Sequence, residues 1–484
     1  MTKVKMEPAE VFACFAEINK IPRPSKKEEK MIEFLKNYGE KLGLETKVDE
    51  VGNVIIRKPA TKGYEDRETT VIQSHMDMVC EKDSNIEFDF MNDPINTEVD
   101  GEWLKAKGTT LGADDGIGVA MELAVLKDDS IEHGPLECVF TRDEETQLTG
   151  ASGMKSGFMT GKYLLNLDSE DEGEIFISCA GGASTKAVFH FNMEEAPKDY
   201  YFFKVGISGL TGGHSGDDIE KKRANANKLL VRFFYNEMKK FDLRISDIQS
   251  GGLHNAIPRD GWAVCAVPMK DKENIRIDAN VYVSEIEEEY SVTEKSLKFY
   301  VESADAADVI EKECAKKIIA SLQAVDNGVF AMSQDIDWLV DTSSNLASIH
   351  KNGNEIEIVT SQRSNIGSAR KNMSATVAAA FELGGAEVFT TDGYPGWKLN
   401  PDSELLKLAV DSYKRLFNKE PKVLAIHAGL ECGLFSERYP HMDMVSFGPT
   451  LRGVHSPEEK LLIPTVEKVW DFLLEILKNI PKKK

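Results

Sequence analysis

Apolar residues at positions 11, 12, 15 and 18 recur at helical spacing and predict a helix over 8–20. The run Ile21-Pro22-Arg23-Pro24-Ser25 ends it. A second helix is predicted to reach Leu42, with Gly43 as its C-terminal cap. Positions 44–58 read as two strands turning around Gly52-Asn53. Short apolar strands follow at 70–73, 136–141 and 163–167, with a helix over 116–127 between the first two. Strands alternating with helices predict an α/β fold, a mostly parallel sheet flanked by helices.

After Gly181-Gly182 the pattern changes. Strands are predicted at 201–207, 261–267, 297–301, 348–351 and 355–360, and helices at 218–241 and 305–324. From Pro401 the α/β alternation returns, with a helix to 417, strands at 422–426 and 444–447, and a final helix. The expectation is a discontinuous α/β domain, 1–185 with 395–484, carrying an inserted α+β domain at 186–394.

Composition narrows the function classes. The 484 residues include 59 basic and 81 acidic side chains, a formal charge of −22. That balance disfavours nucleic acid and anionic membranes, which need a basic face. No apolar run reaches the ~18–20 residues of a membrane span. The first residues, MTKVKMEPAEVF, lack the apolar stretch of a secretory signal. The seven cysteines are scattered and form no Cys-x-x-Cys, which suits a reducing, cytoplasmic setting and disfavours a thiolate metal site.

The chemistry-bearing residues cluster just beyond short apolar strands. Val71-Ile-Gln-Ser74 leads to His75-Met-Asp77, and Leu111-Gly-Ala-Asp114-Asp115 opens a helix. Val139-Phe-Thr141 leads to Asp143-Glu144-Glu145, Leu164-Leu-Asn-Leu167 leads to Asp168, and Gly453-Val-His455-Ser-Pro457 precedes the final helix. Ligands of open α/β sheets bind beyond the carboxyl ends of the strands, so five such clusters should converge. Each has an ordinary reading of its own. Asp114-Asp115 could be a turn and helix cap, and Glu144-Glu145 a solvated pair. Ser456 and Glu459 could make a capping box, with Pro457 in the first helical turn. Together they offer two imidazoles and at least three carboxylates, a donor set for two metal ions.

In these residues the chain resembles the co-catalytic zinc dipeptidases and aminoacylases, in the branch of aminoacyl-histidine (Xaa-His) dipeptidases. The resemblance runs through nearly the whole chain. It rests on His75-Met-Asp77-Met-Val, Thr110-Leu-Gly-Ala-Asp114-Asp-Gly-Ile-Gly, Asp143-Glu144-Glu145-Thr and Asn166-Leu-Asp168-Ser-Glu. It continues with Gly212-Gly-His214-Ser-Gly, His254-Asn255-Ala-Ile-Pro-Arg259, His427-Ala-Gly-Leu-Glu431-Cys-Gly and His455-Ser-Pro. The wider family often has lysine after the paired acids. Gly116 stands there in this chain, which narrows the resemblance to the Xaa-His branch.

The resemblance implies a role for each matching residue. Asp114 would bridge two divalent ions, zinc first with cobalt or manganese as alternatives. His75 and Asp168 would complete one ion's ligands, and Glu145 and His455 the other's. Glu144 would be the general base for the attacking water, and Asp77 would orient His75. The inserted domain would be a lid. There His214 would polarise the scissile carbonyl, from the same subunit or from the partner of a homodimer. Asn255 and Arg363 would hold the substrate's oxygens and terminal carboxylate, and Glu431 is the expected partner of its free amine. The expected substrates are short peptides with free ends, β-alanyl-histidine included. The rivals are an N-acyl-amino-acid amidohydrolase and a non-catalytic binding protein on the same scaffold.

Overall fold

The computed structural model describes residues 4–334 and 336–484. The chain divides into two compact units. One comprises Met1–Ser178, Trp397–Ala425 and Leu430–Lys484; the other comprises Cys179–Gly396 and Ile426–Gly429.

The first unit is built on an eight-stranded sheet. Its order is Glu45–Val48, Val54–Lys58, Leu136–Thr141, Thr70–His75, Tyr163–Asn166, Asp443–Ser446, Glu174–Cys179, Lys422–Ile426. The middle four strands are mutually parallel, and the neighbours on either side run antiparallel to them. Thr70–His75, Leu136–Thr141 and Tyr163–Asn166 are buried at every position, as strands covered on both faces must be. The helix Ala113–Lys127 packs on Thr70–His75 and on the helix Ala9–Ile18. The latter buries the predicted stripe Val11, Phe12, Phe15 and Ile18. The second helix, Glu29–Lys41, is followed by Gly43 at φ 72°, the left-handed exit glycine favours.

The second unit is an antiparallel α+β layer. Its sheet runs Lys298–Ser303, Tyr200–Ser208, Gly261–Pro268, Arg244–Gly251, Val340–Asn352, Glu355–Ser364, Gly181–His190, Glu387–Thr390. Gly328–Met332 pairs additionally with Val340–Asn352. The helices Ala226–Lys240, Lys272–Glu289, Lys312–Ala324 and Gly367–Leu383 share one apolar core with it.

Several elements differ from the sequence reading. The helix expected over 218–241 is a short turn of helix at Ile219–Lys221 and a separate helix Ala226–Lys240. Asn225 divides them, its side chain accepting the Lys228 N–H at 3.2 Å as an N-cap. Lys272–Glu289 and Gly367–Leu383 lie outside the elements that the apolar pattern predicts. Their apolar stripes (Ile275, Ala279, Tyr282, Ile286; Met373, Val377, Phe381) are diluted by charged neighbours. The last helix is Ile463–Asn479, with Pro464 in its first turn. The expected start at Ser456-Pro457 is therefore corrected by six residues, and Glu459 is not a capping-box partner. No helix among the described residues is long and apolar enough to cross a membrane.

Candidate active site

Parallel register aligns the strand ends of the first unit. His75 lies opposite Thr141, and Gln73 opposite Asn166. His75 is the last residue of its strand, the turn Glu144–Gln147 opens just after Thr141, and Asp168 follows Asn166 by two. Asp114 sits at the start of Ala113–Lys127, where it and Asp115 keep non-helical backbone. His455 comes from the connection between the short strands Leu451–Arg452 and Lys460–Leu462.

These five side chains meet. His75 Nε2 lies 3.0 Å from Asp114 Oδ1 and 3.4 Å from Asp168 Oδ1. His455 Nε2 lies 3.2 Å from Asp114 Oδ2 and 2.8 Å from Glu145 Oε2. Ligand atoms of His75, Asp114 and Glu145 all fall within 4.8 Å of one another. The arrangement has two halves, and Asp114 turns one oxygen to each. Imidazole and carboxylate donors without thiolate suit zinc, cobalt or manganese.

The electrostatics call for cations. Burial alone would lower the His75 pKa, but Asp168, Asp114 and Asp77 hold it well above the ordinary value. Hydrogen bonds donated to Asp114 and Glu145 push half-exposed His455 up to about 11. Burial raises Glu145 to about 7, with Asp114 adding to it. Burial also lifts Glu144 well above the carboxylate range, with Asp168 and Glu145 adding to it. Burial works against ionisation of Asp114 too, but both imidazoles outweigh it and hold that carboxylate low. Glu145 Oε1 is buried without a hydrogen-bond partner among the described residues. Acids crowded around two imidazoles, with a donor oxygen left over, fit a site completed by divalent ions.

The residues around this cluster are fixed by hydrogen bonds. Asp77 is fully buried and lies 3.3 Å from His75 Nδ1. It accepts the Glu144 N–H at 3.0 Å, the Glu145 N–H at 3.3 Å and the Ser25 hydroxyl at 2.7 Å. One carboxylate thus holds both the imidazole and the turn carrying the two glutamates. Asp143, at φ 50°, accepts from Thr146 and Thr149, and Glu28 accepts the Asp143 N–H at 3.1 Å.

Glu431 lies at the same strand ends as the metal-binding candidates, but on a helix. It is the first residue of the helix Glu431–Arg438 and has no exposed surface. Its Oε2 accepts from Gln73 Nε2 and Thr141 Oγ1, both at 2.7 Å, and Gln73 Oε1 accepts from Asn166 at 2.7 Å. Gln73 and Asn166 each lie two residues before a ligand, Thr141 two before Asp143. The geometry therefore gives Glu431 a place in a buried polar layer across the strands. Burial raises its pKa to about 8.

In the second unit a different cluster forms around Arg363. This side chain is 7% exposed and has no carboxylate within salt-bridge range among the described residues. Its Nη1 donates to Tyr394 Oη at 3.0 Å, and its Nη2 lies 3.3 Å from His214 Nε2. His214 Nδ1 accepts the N–H groups of Gly216 at 3.3 Å and Asp217 at 3.2 Å. A guanidinium and an imidazole nitrogen therefore converge on one spot, as they would around an anion. Burial, with Arg363 and His254 adding to it, lowers His214 to about 4. Asn255 is exposed, and its carbonyl accepts the Ser215 N–H at 2.8 Å beside His214.

The pattern of motifs assigns no role to His427, which the structure places here. Its Nε2 shares a 2.7 Å hydrogen bond with Ser343 Oγ, and burial and Arg363 lower its pKa to about 3. The signal that could have found it is its own motif, His427-Ala-Gly-Leu-Glu431, in which only the glutamate carries an expected role. Arg23, which donates to the carbonyls of Asp77 at 3.1 Å and Gly112 at 2.6 Å, has no local signal beyond its place between two prolines.

Known proteins share this framework. The chain is 41% identical over 481 residues to the cytosol non-specific dipeptidase of Escherichia coli, covering 99% of each. It superposes on the crystal structure of aminoacylhistidine dipeptidase from Vibrio alginolyticus with a TM-score of 0.91 and 40% identity, covering 99% of this chain and 98% of that one. Aminopeptidase PepT from Bacillus cereus, 18% identical with a TM-score of 0.57 over 97% of this chain and 98% of that one, shares the fold. Residues 71–479 match peptidase family M20/M25/M40, so the chain belongs to this family and is a hydrolase of peptide bonds.

Proposed function

We propose that this protein is a cytoplasmic dipeptidase dependent on two divalent metal ions, most simply zinc, that cleaves short peptides with free ends. Xaa-His peptides such as β-alanyl-histidine are among its substrates. The observation that carries the reading is the two-sided Asp114 carboxylate, 3.0 Å from His75 Nε2 by one oxygen and 3.2 Å from His455 Nε2 by the other. A dipeptidase activity is supported by the 41% identity to the Escherichia coli enzyme.

His75 and Asp168 would hold one ion, Glu145 and His455 the other, and Asp114 both. When bound, such ions polarise a peptide carbonyl and acidify water. Glu144 takes a proton from the attacking water and returns it to the departing amine, so the proton count closes within one turnover. Asp77 keeps His75 oriented and holds the Glu144–Glu145 turn by its backbone. His214 stabilises the developing oxyanion. Arg363, a buried cation without a carboxylate partner among the described residues, binds the peptide's terminal carboxylate, with Asn255 beside it. A homodimer belongs to this reading, with His214 serving its own or the partner's substrate.

The deciding experiment counts metal in the purified protein and assays a panel of dipeptides and N-acetyl amino acids before and after chelation. Two ions per chain and chelator-sensitive cleavage of free dipeptides are expected. Hydrolysis of N-acetyl amino acids with dipeptides spared would move the protein to the acylase class. Absence of turnover with all of them would leave a binding protein.

A further inference from the structure

We infer that Glu459 is a positioning residue that fixes the bridging carboxylate Asp114, a role that rests on the two-metal reading above. Glu459 is 2% exposed. Its Oε2 accepts the N–H groups of Leu111 at 2.7 Å and Gly112 at 2.9 Å, and its Oε1 those of Ala113 at 2.8 Å and Asp114 at 3.2 Å. Four consecutive amides therefore converge on one carboxylate that lies 345 or more residues away in the chain. They are the amides of the loop leading into Ala113–Lys127, whose N-cap Gly112 offers no side-chain cap.

The loop is gripped from its other side as well. Arg23, 1% exposed, donates from Nη2 to the Gly112 carbonyl at 2.6 Å and from Nη1 to the Asp77 carbonyl at 3.1 Å. Gly112 has φ 66°, and a Cβ there would come within 2.5 Å of Arg23 Nη2. The backbone leading into Asp114 thus lies between a buried anion that takes its N–H groups and a buried cation that takes its carbonyl.

Glu459 also follows His455 by four residues. One short segment carries a ligand of one half-site and the anchor of the ligand shared by both. Displacing the anchor shifts Asp114 against His75 and His455 together, so both ions should loosen. Removing His455 should loosen one.

The test is zinc binding to chelator-stripped protein, measured by competition with a chromophoric chelator, alongside thermal melting. Glu459→Gln keeps the shape but turns an NH2 group toward amide donors. It should weaken both ions by about 10–100-fold, the usual scale for a group that holds a ligand in place. His455→Ala should weaken one. Glu137 is the control. It is 1% exposed and accepts the N–H groups of Thr160 at 2.7 Å and Gly161 at 3.0 Å, near the strand end opposite Thr141. Glu137→Gln should lower the melting temperature and leave zinc affinity alone. If Glu459→Gln does not fold, Glu459→Asp, which keeps the charge but shortens the reach, should show the same two-ion weakening. Wild-type affinity for both ions in the variant that folds overturns the inference. A wild-type protein binding fewer than two ions overturns the two-metal reading, and this inference with it.

Discussion

His75 and His455 in the first unit sit among carboxylates, whereas His214 and His427 in the second sit beside a guanidinium. The same side chain is driven in opposite directions. Carboxylate contacts carry His455 up to about 11, while burial and Arg363 bring His214 down to about 4 and His427 to about 3. The first cluster has an excess of anionic groups and attracts cations. The second has a buried guanidinium with no carboxylate in salt-bridge range among the described residues, and attracts an anion. The difference teaches that histidine content does not mark a metal site; the charge of the neighbours does.

The comparison breaks most sharply at Glu144. Glu144→Gln should retain metal and lose about 10²–10⁴-fold in kcat, because a proton acceptor is removed while the ligands stay. Near-normal turnover would remove Glu144 from the chemistry. His214→Ala, on the other side of the comparison, should also keep its metal and lose about 10²–10³-fold in kcat. A fall in metal content there would mean that the two clusters do not divide the work between cation and anion. Mixing the two inactive variants tests the subunit question. Recovered activity in hybrids means that His214 serves the partner's substrate, and none in proven hybrids means that it serves its own.

A smaller effect is expected where Arg363 meets a carboxylate. A charged hydrogen bond contributes about 1.5–3 kcal/mol, so Arg363→Ala should lower kcat/KM for a free dipeptide by that amount. C-terminal amidation should cost the wild-type protein a similar amount and the variant almost nothing. Additive losses would show that Arg363 does not touch the carboxylate.

The two regions are also unequally legible in the sequence. His75, Glu145 and Asp168 can be read because each lies within a few residues of a short apolar strand, and parallel strands bring those ends together; Asp114 and His455 come instead from a helix start and from the connection between two short antiparallel strands. The second unit's sheet shows only in fragments. Its strand Val340–Asn352 is visible in the apolar pattern only at 348–351, because a polar stretch, Asp341 to Asn345, is buried by hydrogen bonding and not by apolarity. Glu459 misleads for a different reason. Ser456-Pro457-Glu458-Glu459 satisfies the local rule for a helix start, yet Ser456 Oγ accepts the Glu458 N–H, and the Glu459 carboxylate goes to amides near residue 112. Local pattern cannot reveal an acceptor whose donors are hundreds of residues away.

The smallest prediction uses the opposite shifts directly, in metal-free protein. Glu431 in the first unit has its pKa raised to about 8 by burial, so the folded state holds its proton where the unfolded chain, at the ordinary value of 4.5, has lost it. Its contribution to stability is complete below 4.5 and is lost as pH rises through 8. His427 in the second unit is lowered to about 3 from an ordinary value of 6.5. There the unfolded chain takes up the proton first, so its contribution is complete above 6.5 and is lost as pH falls toward 3. Between about pH 5 and 6.5 the two groups tilt the stability curve in opposite directions, each by at most about 1.4 kcal/mol per pH unit. Urea unfolding across that window should show a more positive slope of stability with pH in Glu431→Gln and a less positive one in His427→Asn. Equal slopes in both variants and in the wild type would mean that neither group is charged differently on folding. The contrast between the units would then lie only in the metal-binding residues.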